Sequence, residues 1–128
     1  MKTLAQIRAA NALQSAPTVQ LELDRSGQGD ALSGFPMLIL IDGLLAALAF
    51  SVERKRNDHG QIVPKHAAHL AIAVALATHL RHERIAICSA TDANDLLSRL
   101  ARDQTASQLR RATAEAIAFL GYLKRFVA

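Results

Sequence analysis

Residues 35–50 read FPMLILIDGLLAALAF, and how they fold decides the architecture. The stretch is apolar on every side of a helical wheel, broken only by Asp42 and Gly43. A surface helix shows a single apolar stripe, so a segment apolar all round belongs in an interior. Pro36 suits a first helical turn, where its missing N–H has no partner to lose. Asp-Gly between apolar runs is also a hairpin signal. The second half opposes a hairpin, because Leu and Ala favour helix and do not alternate with polar residues. The expectation is one continuous buried helix from Phe35 to Phe50, with Leu44, Leu48 and Phe50 in the core.

Outward from this stretch, the same reading gives an all-α bundle of about five helices. Thr3 with Gln6 forms a capping box that opens the first helix, and Pro17 is expected to end it. Residues 18–33 are expected to be a loop with local order, since Val19, Leu21 and Leu23 alternate with polar residues but have no evident partner strand. Residues 51–63 read as an exposed connection carrying Arg54, Lys55 and Arg56. Pro64 is expected to open a third helix, apolar nearly all round from Ala67 to Ala77. Asp92 with Asp95 starts a short amphipathic helix, and Thr105 with Gln108 starts the last. On that last helix Leu109, Ala112, Thr113, Ala116, Leu120, Leu123 and Val127 share a face, with Phe119 and Phe126 on its flank. Arg111, Ala114, Ala118, Gly121 and Arg125 lie opposite. Two all-apolar helices exceed what one small core needs, so part of that surface is expected to be an interface.

At 128 residues the chain reads as a single helical domain over 1–128. Its lone cysteine, Cys88, lies in an apolar run and fits a reducing, cytoplasmic setting. The N-terminus shows no secretory h-region, and no apolar stretch reaches the roughly 20 residues of a spanning helix. The expectation is a soluble protein without a membrane partner.

The net charge of +4 is unevenly placed. Residues 1–98 hold nine Lys/Arg and nine Asp/Glu, whereas residues 99–128 hold six basic residues against Asp103 and Glu115. The whole excess lies in the last thirty residues, which points to a polyanionic or acidic partner. With no Trp and only Tyr122 expected to be exposed, a base-stacking platform is not indicated. Binding through phosphates, insensitive to sequence, is the form this charge supports.

Catalytic chemistry finds little here. There is no Gly-rich phosphate loop, nucleophile elbow or Cys-x-x-Cys pair. His66 with His69, and His79 with His82, are spaced three apart and could each share a metal. The four span too many turns for one ion, so solvated or helix-end histidines are expected and no metal or cofactor is assigned. Asp42 is the one carboxylate in an apolar stretch and reads as a hydrogen-bonded structural residue.

Two stretches resemble the small subunit of the type III-B CRISPR effector, the Cmr complex. The closing LRRATAEAIAFLGYLKRFVA carries Arg110 (or Arg111), Ala112, Thr113, Glu115 and Ala116, then Leu123, Lys124, Arg125 and Phe126, in the order of that family's final helix. Pro36, Gly43, Leu44, Ala47, Leu48, Ala49 and Phe50 fall in order on its Leu-Pro…Asn-Gly-Leu…Ala-Leu-Ala-Phe stretch, with DLLSRLARD between the two. Departures are Leu109 for Tyr, Tyr122 for Trp and Asp42 for Asn. The resemblance implies an all-helical, non-catalytic subunit whose copies stack beside the backbone and large subunits, along the channel where crRNA and target RNA pair. Under it, Arg110, Arg111, Lys124 and Arg125, with Arg54, Lys55 and Arg56, are the candidate RNA-binding residues. Two rival readings are a helical adapter for an acidic protein and a small His-dependent metalloprotein.

Overall fold

The computed structural model describes all of residues 1–128. Its six helices are α1 (Leu4–Ser26), α2 (Ala31–Asp42), α3 (Leu44–Ser51), α4 (Ala67–Arg81), α5 (Ala93–Arg102) and α6 (Ala106–Phe126). Between α3 and α4 lies an antiparallel hairpin, β1 (Arg54–Arg56) and β2 (Ile62–Pro64). The all-α expectation holds apart from this small hairpin, with one helix more than counted.

The extra helix comes from Gly43. Its backbone sits at φ 93°, ψ 163°, a region essentially closed to residues with a Cβ. The chain turns a corner there and forms neither the continuous helix nor the hairpin. The Gly43 N–H donates to the Ile39 carbonyl at 2.8 Å, and the Ala47 N–H donates to the Gly43 carbonyl at 3.1 Å. Gly43 therefore closes α2 with its amide and opens α3 with its carbonyl. The corner lets α2 pack on α6 while α3 packs on α5, with α4 touching both; a straight rod could not reach both neighbours. It also makes burial one-sided. Phe35, Ile39, Leu44 and Leu48 are buried, whereas Met37, Leu40 and Ile41 are exposed and Phe50 is half-buried. Asp42 is exposed too, so the structural role expected for it in an apolar interior does not arise.

Pro17 does not end the first helix. The capping box at Thr3 and Gln6 forms as expected, and α1 continues to Ser26. Pro17 and Leu13 both face solvent, so water can satisfy the Leu13 carbonyl that the proline leaves without a donor. Val19 and Leu23 are buried and Leu21 exposed, a helical spacing of four where alternation had suggested a strand. Gly27, at φ 70°, stops the helix with its N–H on the Leu23 carbonyl. Residues 18–33 are thus mostly helical, with a short turn before α2. Pro36 falls in the second turn of α2, not the first.

Pro64 likewise opens no helix: it pairs with Arg54 in the hairpin, and α4 begins at Ala67. The central element is α4, which buries Ile72, Leu76 and Leu80 among alanines and contacts all five other helices. The caps at Asp92 and at Thr105 with Gln108 form as expected. On α6, Ala112, Ala116, Leu120 and Leu123 are buried, and Phe119 is fully buried with them instead of flanking them. One connected cluster of thirty residues forms the core.

Leu48 is fully buried, and Leu48→Ala should cost about 2–5 kcal/mol in denaturant unfolding. Two glycines with open space around them should respond in opposite senses. Gly43→Ala should destabilise by about 1–3 kcal/mol because of its backbone angles. Gly121→Ala, on an exposed helical position, should stabilise by about 1 kcal/mol. A tolerated Gly43→Ala would argue against the corner.

Candidate nucleic-acid interface

Twenty-one residues make α6, and Glu115 is the only acidic one among them. Its side chain is turned inward. The Arg8 guanidinium from α1 donates through Nε to Oε2 at 2.7 Å and through Nη2 to Oε1 at 2.8 Å. His79 of α4 donates from Nε2 to Oε2 at 2.9 Å, and the Asn11 amide donates to its Nδ1 at 3.0 Å. These bonds fix a neutral His79 protonated at Nε2, and Phe119 stacks on its ring at 4.3 Å. The cluster ties α1, α4 and α6 together and satisfies both carboxylate oxygens.

The outer surface of α6 is left without a negative charge. Arg110, Arg111, Lys124 and Arg125 are all exposed, and none belongs to an ion pair. Arg111 and Arg125 are fourteen residues apart, about 21 Å and nearly four turns, so they project to similar sides of the helix. Between them lie Ala114, exposed, Ala118, half-buried, and Gly121, exposed, a low surface over which a backbone can pass. Tyr122, expected to be exposed, is half-buried and lies 6.4 Å from Phe126.

Arg54, Lys55 and Arg56 are exposed as expected, but in strand β1 and not in an irregular loop. Arg54 and Arg56 pair with Pro64 and Ile62, while Lys55 pairs with Val63. The two arginines therefore share one face of the ribbon and Lys55 takes the other. Arg56 donates to the Gly60 carbonyl at 2.9 Å. The main neighbours of α6 are α1, α2 and α4, so the fold does not merge this hairpin and α6 into one patch.

The histidines serve different purposes. His66 stacks on Phe50 at 3.7 Å and meets Glu53 at 3.0 Å. His69 packs against Phe35 and Phe50, where burial and the neighbouring His66 push its pKa down. His82 caps α4 and accepts from the Arg84 N–H. His79 lies in the last turn of α4, as a helix-end histidine would, but its side chain is buried in the core and not solvated. No three His, Cys, Asp or Glu side chains converge as metal ligands would. The sequence did carry a signal for the buried cluster: His79 falls in step with Ile72, Leu76 and Leu80, and Glu115 with Ala112 and Phe119. Its partner Arg8 lies 107 residues from Glu115, beyond any local pattern.

No helix is long and apolar enough to cross a membrane. A family model described as a CRISPR-associated protein (Cas_Cmr5) matches residues 4–128. No curated protein and no solved structure matches the chain.

The buried cluster predicts how stability depends on pH. Burial pushes the His79 pKa below 6.5, outweighing the carboxylate beside it. Below pH 6.5 the unfolded chain therefore binds a proton that the folded chain resists. Stability should fall as the pH drops from there toward the folded His79 pKa. Burial raises the Glu115 pKa, but its bonds to Arg8 and His79 hold it below the ordinary 4.5. Its contribution should thus be lost at still lower pH. His79→Gln should remove the upper part of this decline in urea titrations at stepped pH. Glu115→Ala, which strands a part-buried guanidinium, should cost about 3 kcal/mol at neutral pH. An unchanged acid profile in His79→Gln would contradict the assignment.

Proposed function

The chain belongs to the CRISPR-associated Cas_Cmr5 family, and from that premise we propose that it is the small subunit of a type III-B RNA-targeting interference complex. It joins the backbone and large subunits of that assembly in the cytoplasm and stacks with further copies of itself. It contributes no catalytic group, metal or cofactor, and serves by holding RNA. The observation that carries this reading is the outer surface of α6, where four unpaired cations stand on a helix whose single carboxylate is sequestered inside.

On this reading Arg111, Lys124 and Arg125 contact phosphates of crRNA or target RNA, and Arg110 extends the strip toward the first turns of α6. Arg54, Lys55 and Arg56 form a second, separate contact on the hairpin. Flexible cations without an aromatic platform suit a channel that must accept any guide sequence. Exposed Leu13 and Leu21 on α1, and Met37, Leu40 and Ile41 on α2, supply apolar surface for neighbouring subunits. An adapter that binds an acidic protein would use the same cations, and RNA binding separates the two readings.

Changing Arg111 and Arg125 together to Glu should weaken RNA retention by the assembled complex for all sequences alike. It should also flatten the dependence on salt, because fewer counterions are released. Thermal stability of the isolated subunit should barely move, since exposed charges contribute little. Filter binding across a salt series, with several unrelated RNAs, measures all of this. Normal assembly with an unchanged salt slope would shift the reading to the adapter.

A further inference from the structure

Where the α2–α3 corner faces the opening turns of α6, the surface folds into an open cleft of about 600 Å³. Its walls are apolar: Leu44 and Leu45 come from the corner, and Leu109 and Ile117 from α6. Asp42 stands on the corner side and Arg110 on the α6 side. These two opposite charges line one cleft, yet they form no ion pair with each other or with any other group of the chain. Directly before Asp42, α2 leaves Met37, Leu40 and Ile41 exposed to 56%, 68% and 74%. Nothing in the chain covers this stripe.

We propose that this face is the contact surface of a twofold dimer of the free chain. In a twofold contact a residue meets its counterpart's complement twice, so one patch must be complementary to itself. A cleft with an acid on one wall, a base on the other and an apolar floor between meets that demand. Rotated by a half turn, Asp42 of one copy faces Arg110 of its partner, and the same pair recurs across the axis. The apolar walls and the stripe of Met37, Leu40 and Ile41 fill the middle. A stable contact buries about 800 Å² on each partner, so the cleft and the adjoining stripe act together. RNA does not fill this cleft, because Asp42 would repel phosphates from it and its floor is apolar; Arg110, at the α6 rim, is the one cation it shares with the basic strip. The inference goes beyond the RNA-holding role and does not depend on it. Because the contact is closed by its twofold axis, it pairs two copies without propagating, unlike a stack of subunits.

The test is sedimentation of the purified full chain over a micromolar-to-millimolar series, with circular dichroism to confirm folding. The unaltered chain should pass from monomer to dimer. Asp42→Arg and Arg110→Asp should each weaken dimerisation about tenfold or more, because each sets like charges face to face at two places. The double exchange Asp42→Arg with Arg110→Asp should restore the dimer, since it only swaps the two sides. Ile41→Asn should weaken it without altering a charge, and carries the test should a charge reversal fail to fold. A chain that stays monomeric throughout overturns the proposal, as do single reversals without effect or a double exchange that restores nothing. Should the chain stay monomeric while the single reversals block its entry into the effector complex, the cleft receives another subunit and the twofold assignment is wrong.

Discussion

The burial of Glu115 is the constraint on which the rest depends. A carboxylate in a core is tolerated only when its oxygens are bonded and its charge is met. Here one guanidinium and one imidazole do both, and they come from two other helices. The requirement fixes the approach of α1 and α4 to α6 more narrowly than apolar packing would, because hydrogen bonds have direction where alanine and leucine contacts do not. His79 must be neutral to receive the Asn11 amide while donating to Glu115. The cluster thus sets a protonation state as well as a geometry.

The same burial shapes the exterior. Had Glu115 faced outward, it would have stood about six Å from Arg111, one helical turn away, and neutralised the middle of the strip. Its absence leaves a helix with cations at both ends and small residues between. The interior bond and the exterior field are therefore one arrangement seen from two sides.

Elements whose signals are local were legible in the sequence. The two capping boxes, the Asp92 cap and the buried face of α6 need only residues three or four apart, and they stand where the spacing put them. The readings of Pro17 and Pro64 failed because a proline's effect depends on what surrounds it. Pro17 lies on an exposed side where its missing bond costs little, and Pro64 sits in a strand that only its pairing with Arg54 reveals. Gly43 failed for a tertiary reason. Its own stretch is compatible with a straight helix, and only the separate demands of α5 and α6 make the corner worthwhile. Of the candidate site, the cations could be named from charge counting, since exposed charges need no partner to be found. The cluster of Arg8, His79 and Glu115 could not, because its links join residues 107 and 36 positions apart.

The division of labour between surface and core follows from magnitudes. Exposed cations change stability by tenths of a kcal/mol, yet each phosphate contact alters RNA affinity through counterion release. Buried residues have the reverse profile. The outer face of α6 can therefore be tuned toward a polyanion without disturbing the bundle, provided that its one carboxylate stays locked inside. Losing Arg8 would break that provision twice over. It would leave Glu115 buried with less than its charge met, and any relief by turning the carboxylate outward would place a negative charge beside Arg111 on the basic strip. Core and surface are separable in energy but joined at that residue, which no count of charges along the chain would single out.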